Sequence, residues 1–201
     1  LSMVKNQWKL KKKMQFKNLN ENYIRVYDDV IPETMCKNMI EEFEKSEDQF
    51  DKQTLKGHRS FTQIGLQQYS NWKPYQQDLQ NAFNSCISRY MEECDVVDKM
   101  FPEQYAYEMF RLKRYEPNGI DEFHDHVDVG NHASAKRFLV FFLYLNEPEG
   151  GHTDFPQRDV SVTPKAGRLL MFPPMWTHLH AGRKVTGDES KYIVGSYLHY
   201  I

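Results

Sequence analysis

The second half of the chain is a succession of short β-prone segments separated by turn signals, and this pattern constrains the fold most. The apolar and aromatic segments cover residues 105–115, 136–145, 159–163, 168–172 and 192–200. Proline and glycine mark turns between them, as in the run EPEGG at residues 147–151. Many short strands with regular turns are typical of an antiparallel sandwich or jelly roll.

Before residue 100 the apolar spacing is instead that of helices. Pro32 precedes apolar residues at i, i+3, i+4 and i+7 between Cys36 and Phe43, and Pro74 precedes a longer stripe that ends near Asp95. The sequence therefore predicts an α+β domain whose β core is buttressed by N-terminal helices. We expect helical support over 19–100 and the core over 101–201, after a basic leader at 1–18 whose first two residues are an expression remnant.

Composition narrows the class of protein. A chain of 201 residues with 40% apolar residues suits one packed domain, and 26 basic against 28 acidic residues do not indicate a nucleic-acid partner. Cys36, Cys86 and Cys94 are odd in number and lack zinc-ligand spacing, which favours buried thiols in a reducing compartment. No apolar run approaches about 18 residues, and no signal peptide is evident, so we expect a cytoplasmic protein without a membrane partner.

The histidines suggest a metal site in the β core. Seven of the eight histidines lie between residues 124 and 199. His126 and Asp128 are two residues apart and can share one face of a strand, and a neighbouring strand can supply His180. Two histidines and one carboxylate are typical of non-haem iron sites with open coordination positions. His124 and His178 lie on the same faces and are the alternative ligands.

Four ordered motifs add a resemblance to this picture. The first has Tyr115, Gly119 and Phe123 ahead of the H-x-D of His126 and Asp128. The others are GGHTDFP at 150–156, PKAGRLLMFP at 164–173, and HAG at 180–182 followed by a lysine at 191. Residues 105–200 thereby resemble the prolyl 4-hydroxylase-like branch of the iron(II)- and 2-oxoglutarate-dependent dioxygenases. The chain has two additional residues before His126 and one before the lysine, both in expected loops.

The resemblance implies a fold, a reaction and a set of site residues. The fold is a double-stranded β-helix, and the reaction hydroxylates an unactivated C–H bond, most simply of a prolyl residue in a peptide or protein, with release of succinate and CO2. The cofactors are Fe(II), 2-oxoglutarate and dioxygen, with ascorbate as a reductant. The expected residues are His126, Asp128 and His180 for iron, Tyr115, Thr153 and Lys191 for 2-oxoglutarate, and Glu108, Arg137 and His199 for the substrate.

Other functions compete with this one. An oxygenase of the same class could act on a non-prolyl substrate, and a non-catalytic cupin-like jelly roll could bind a metal or a sugar. Lys191 and Thr153 favour the oxygenase, because a barrel that only binds metal needs no clamp for a carboxylate. A zinc hydrolase would use three ligands and an activated water, but the surrounding motifs argue against it.

Overall fold

The computed structural model describes residues 23–201, so the leader predicted at 1–18 lies outside the described residues. Twelve strands and two long helices make up this part of the chain. The strands are β1 (Arg25–Tyr27), β2 (Asp51–Leu55), β3 (Arg59–Gly65), β4 (Tyr105–Tyr107), β5 (Arg111–Tyr115), β6 (Glu122–His126), β7 (Arg137–Tyr144), β8 (Thr153–Phe155), β9 (Val160–Val162), β10 (Leu169–Phe172), β11 (His180–Gly182) and β12 (Lys191–Tyr200). None of the helices within 23–201 is long and apolar enough to cross a membrane.

Both predicted helices form close to the expected positions. Helix α1 covers Glu33–Lys45, with Pro32 in an extended conformation just before it, and helix α2 covers Lys73–Glu93. Proline suits a helix start because its fixed φ fits there and its missing N–H removes no helical hydrogen bond. Four short 3-10 turns complete the helical structure of the described residues, at Glu47–Gln49, Leu66–Gln68, Ser70–Trp72 and Asp98–Met100.

The strands form one antiparallel sheet in the order β1-β10-β7-β12-β5-β3-β6-β11-β8-β9, with β2 beside β3 and β4 beside β12. The sheet curls back on itself, so that strands distant in this order meet face to face. Phe155 of β8 packs edge-on against Phe172 of β10, with ring centroids 4.8 Å apart. This half-barrel confirms the predicted double-stranded β-helix.

Strand β7 shows how the helices and the half-barrel share one sheet. Leu139, Phe141 and Leu143 face the helices, where Phe141 stacks on Phe83 of α2 with ring centroids 5.0 Å apart. The alternate residues, including Phe142, face the inside of the half-barrel. Successive side chains of a strand point to opposite faces, so a continuously apolar strand separates two cores. Burial of one such phenylalanine contributes roughly 2–3 kcal/mol.

The first half of the described chain contributes more than helices. Strand β3 lies between β5 and β6, in the middle of the sheet, within the part of the sequence that was predicted as helical support. The β-prone segment at 105–115 forms two strands, β4 and β5, which both pair with β12. The three cysteines are free and buried, as predicted.

Candidate active site

Strand pairing brings the three predicted metal ligands together. His126 of β6 and His180 of β11 are direct partners across the antiparallel ladder. Asp128 follows β6, and its backbone N–H donates to the carbonyl of Pro174 at 3.0 Å, which fixes the chain just past the strand. One potential ligand atom from each of the three side chains lies within 4.8 Å of the others.

Backbone carbonyls orient both imidazole rings. Nδ1 of His126 lies 2.7 Å from the carbonyl oxygen of His124, and Nδ1 of His180 lies 3.0 Å from that of His178. A carbonyl can only accept, so each Nδ1 carries a proton, and in the neutral imidazole the Nε2 lone pair is then directed at Asp128. The Nε2 atoms are 3.6 Å and 3.5 Å from the Asp128 carboxylate oxygens. The backbone therefore selects the tautomer that a metal requires.

The rest of the surroundings hold the carboxylate ionised. Burial by itself would raise the pKa of Asp128, but His180, His126 and a hydrogen bond from the Tyr197 hydroxyl at 2.8 Å lower it well below its usual range. Burial lowers the pKa of His180 to about 4. At neutral pH the site therefore presents a carboxylate and a neutral imidazole, the protonation states that bind a metal.

Two unsatisfied atoms show that this arrangement fits a divalent ion. Oδ2 of Asp128 and Nε2 of His180 are buried and have no hydrogen-bond partner among the described residues. Such groups are costly to bury unless a ligand satisfies them. The separations of 3.5 and 3.6 Å are comparable to the roughly 3 Å expected between two atoms that each lie about 2.1 Å from one ion.

The residues predicted to hold the cosubstrate line a cavity next to this triad. Lys191 opens β12 opposite Tyr115 of β5, and its Nζ lies 4.3 Å from the centre of the Tyr115 ring. Nζ donates to the carbonyl of Gly151 at 2.9 Å, and burial lowers the lysine's pKa to about 7. The Thr153 hydroxyl accepts a hydrogen bond from Tyr144 at 2.7 Å. All three predicted residues therefore reach one cavity, which Asp128 and both ligand histidines also line.

The residues predicted to bind the substrate form a cluster of their own. Arg137 makes two hydrogen bonds to the Glu108 carboxylate, at 2.7 and 2.8 Å, and a third to the carbonyl of Asp128 at 3.1 Å. Nδ1 of His199 lies 3.8 Å from Glu108. Arg137 alone of these three lines the larger cavity described next.

A second cavity of about 300 Å³ lies beside the triad, lined by His126 and Asp128 but not by His180 or Lys191. Strand β3 supplies part of its wall through Arg59, Phe61 and Gln63, although the sequence predicted only helical support over 19–100. Lys113 of β5 borders both cavities and was not among the predicted site residues. Strand alternation was the available signal, because Lys113 must share the face of Tyr115, two residues later.

Comparisons with known proteins agree with this geometry. The family model described as the 2OG-Fe(II) oxygenase superfamily matches residues 110–199. A protein of Acanthamoeba polyphaga mimivirus named "Putative prolyl 4-hydroxylase" is 28% identical over 196 residues, which cover 90% of this chain and 76% of that protein.

Solved structures share the fold at lower sequence identity. The viral collagen prolyl hydroxylase of Paramecium Bursaria Chlorella virus-1, in its 2OG complex, has a TM-score of 0.67 at 21% identity and covers 89% of this chain and 97% of its own. A Trichoplax adhaerens prolyl hydroxylase in complex with a peptide fragment of the hypoxia inducible factor oxygen degradation domain has a TM-score of 0.65 at 16% identity and covers 96% and 92%.

The family match spans the strands that carry the triad and the buried lysine. The match runs from the start of β5 almost to the end of β12. Over the same strands the structure brings together two histidines, a carboxylate and a lysine suited to an anionic cosubstrate. Residues 110–199 therefore match the 2OG-Fe(II) oxygenase superfamily, and the chain is a dioxygenase similar to prolyl 4-hydroxylases, for which iron(II), 2-oxoglutarate and dioxygen are the cofactors.

Proposed function

We propose that this dioxygenase hydroxylates a prolyl residue of a peptide or protein, with iron held by His126, Asp128 and His180 and 2-oxoglutarate held by Lys191, Thr153 and Tyr115. The observation that carries the proposal is the pair of buried, unsatisfied ligand atoms of Asp128 and His180 beside a cavity that contains a buried lysine. A metal would satisfy the two ligand atoms, and a carboxylate of the cosubstrate would neutralise the lysine.

Each side chain has a role that its surroundings support. The imidazoles of His126 and His180 act as neutral ligands, because their Nδ1 protons are engaged by backbone carbonyls. Asp128 acts as a ligand and not as a general base, because its lowered pKa makes it a poor proton acceptor. When bound, iron with 2-oxoglutarate and dioxygen supplies the oxidation of a C–H bond coupled to decarboxylation of the cosubstrate.

Lys191 selects the cosubstrate in this proposal. Lys191 is 1% exposed, and within the described chain its ammonium group donates a hydrogen bond to one backbone carbonyl and to no carboxylate. A dicarboxylate that reached Lys191 with one end and the metal with the other would satisfy both groups. The hydroxyls of Thr153 and Tyr115 can donate to the same ligand from the cavity wall.

The names of similar proteins support a prolyl substrate. The mimivirus relative is named for prolyl 4-hydroxylation, and the structural neighbours are titled as prolyl hydroxylases, one of them bound to a peptide fragment. The second cavity is lined by two of the metal ligands but not by Lys191, and it can receive a side chain of an extended peptide. We propose that Arg137, held by Glu108 and flanked by His199, positions that peptide.

Anaerobic titration tests the cofactor assignment. Addition of Fe(II) and 2-oxoglutarate should produce a metal-to-ligand charge-transfer band. His126→Ala should abolish the band because it removes a ligand. His124→Ala is the matched control and should retain it, because the 124 side chain is half exposed and only its carbonyl orients the ring of His126. Absence of the band in the folded wild type would refute the cofactor assignment.

Mass spectrometry tests the substrate assignment separately. Peptides with proline in Pro-Gly or polyproline contexts should gain one oxygen, and succinate should form in equal amount. The matched peptides with alanine in place of proline should gain none. Turnover of the alanine peptides, or none of the proline peptides in an enzyme that shows the charge-transfer band, would contradict the prolyl assignment and leave the cofactor assignment intact.

A further inference from the structure

The second cavity carries more positive charge than the proposed reaction requires. Arg59, Arg111, Lys113 and Arg137 line it, and Asp128, already assigned to the metal, is the one carboxylate among the described residues of its wall. Arg137 is neutralised by Glu108. The remaining three cations line the cavity without an ion pair within the described chain, and Glu108 and Asp128 act on Arg111 and Lys113 only at longer range.

The sheet places these three side chains on one face by strand alternation. Arg111 and Lys113 are two residues apart on β5, and Arg59 lies on β3, which pairs directly with β5. Residues of one strand at even spacing point to the same side. Their common face is therefore a property of the sheet and does not depend on a loop conformation, with Arg59 and Arg111 toward opposite ends of the β3–β5 pairing.

Lys113 is the most buried of the three cations. Its side chain is 9% exposed, and within residues 23–201 it makes no hydrogen bond and has no carboxylate within 4 Å. Its ammonium group lies over two aromatic rings, 5.0 Å from the centre of Phe61 and 5.9 Å from that of Phe142. Burial lowers its pKa to about 8. Such a buried ammonium is unfavourable until an anion reaches it.

The two arginines are also only partly satisfied. Arg59 donates one hydrogen bond to Gln53 at 3.1 Å, while its Nε is buried without a partner. Arg111 makes a single long contact of 3.4 Å with the carbonyl of Met109. Guanidinium groups bind carboxylates through paired, parallel hydrogen bonds, and both groups have donors free for that geometry.

The cosubstrate does not account for the two arginines, although Lys113 also borders the cavity proposed for the cosubstrate. Arg59 and Arg111 line the second cavity and not the one that contains Lys191. A cavity of about 300 Å³ has room for a side chain of a bound peptide but not for a folded partner. The missing anion therefore belongs to the molecule that is oxidised.

We infer that the enzyme selects peptide or protein substrates with a carboxylate side chain, aspartate or glutamate, next to the oxidised residue, and that Arg59, Arg111 and Lys113 bind this carboxylate. This inference rests on the proposed function, because it takes the second cavity as the substrate site. It adds a specificity for acidic sequences that a prolyl site by itself does not require. The three residues act in binding and take no part in oxidation.

Binding measurements on four labelled peptides test the inference without turnover. The peptides have proline or alanine at the centre and glutamate or glutamine on both sides, and the protein is loaded with Mn(II) and 2-oxoglutarate. Fluorescence anisotropy should show the glutamate peptides binding at least about tenfold more tightly than their glutamine counterparts, a factor that corresponds to one charge-assisted contact. The preference should decrease with added salt.

Variants identify the cavity as the origin of the preference. Arg111→Gln should reduce the preference for glutamate to within about threefold, and Arg59→Gln provides a second variant if the first does not fold. Lys37→Gln is the matched control, because it removes one positive charge from an exposed pair on α1 and should leave the preference unchanged.

Equal affinity for glutamate and glutamine peptides, including no measurable binding of either, would overturn the inference. So would a preference that survives both cavity variants. Failure of the prolyl assignment has a different signature, since it would appear as no discrimination between proline and alanine while the effect of glutamate remained.

Discussion

Replacement of Lys191 by methionine should raise the stability of the protein and weaken its binding of 2-oxoglutarate. A pKa lowered from 10.5 to about 7 corresponds to about 5 kcal/mol of preference for the neutral amine, because the group is fully buried. In the unfolded chain the lysine stays charged up to its ordinary pKa. The buried charge therefore lowers the free energy of unfolding of the wild type by the full amount below pH 7. This destabilisation disappears as the pH rises from 7 to 10.5. Lys191→Met should accordingly unfold at a higher temperature than the wild type at pH 7, by an amount that shrinks as the pH rises.

The same substitution should abolish most of the affinity for 2-oxoglutarate. A carboxylate buried without its cationic partner costs about 3–5 kcal/mol, which is a factor of roughly a hundred or more in affinity. Calorimetric titration of the Mn(II)-loaded protein measures this directly. Thermal unfolding provides a second readout, because ligand at about 100 times its Kd stabilises the wild type by about 2.7 kcal/mol, and Lys191→Met should lose that gain.

The pH dependence of binding provides the decisive check. A bound carboxylate favours the charged lysine, so the complex takes up a proton wherever the free protein has lost one. The affinity of the wild type should therefore fall about tenfold per pH unit above pH 7. Lys165→Met, at an exposed pair with Asp28, is the matched control and should behave as the wild type. If Lys191→Met binds 2-oxoglutarate within threefold of the wild type, the assignment of this lysine is refuted.

Three further perturbations follow from contacts around the site and the core. Tyr197→Phe removes the hydrogen bond to Asp128 and should weaken Mn(II) binding by about 10- to 100-fold in calorimetry; unchanged affinity would show that the hydroxyl does not position the carboxylate. Glu108→Gln leaves Arg137 without its counter-charge, and the free energy of unfolding in urea should fall by about 1–3 kcal/mol; no loss would mean that solvent already satisfies the guanidinium. Phe83→Ala should cost about 3–5 kcal/mol in the same assay, yet leave 2-oxoglutarate affinity intact, because this ring packs on the helix side of β7; an equal loss of binding would contradict the separation of the two cores.

The sequence predicted local features more reliably than distant pairings. Helices α1 and α2 were foreseen because their spacing and their starting prolines are local signals. The place of β3 was not, because it is set by pairing with β5, about fifty residues further along the chain. A strand with the sequence RSFTQIG also has too many polar residues to indicate a central position.

The metal ligands of the candidate site could be predicted because their spacing along the sequence is characteristic of a family. The separation of His126, Asp128 and His180 agrees with a family pattern, and the structure brings these side chains together. Lys113 was overlooked for a physical reason. A charged residue in a strand is ordinarily assigned to the solvent face, and only the orientation of its neighbours shows that it points inward.

The carbonyl contacts of the two ligand histidines have a consequence for how this sequence can diverge. The ring of His126 depends on an oxygen that every amino acid carries at position 124. Evolution can therefore replace the side chain at 124 freely while the ligand beside it stays fixed. Among distant homologues, we expect an invariant histidine two residues after a position of unrestricted identity. A variable residue two before a metal ligand is thus no sign that the ligand lacks support.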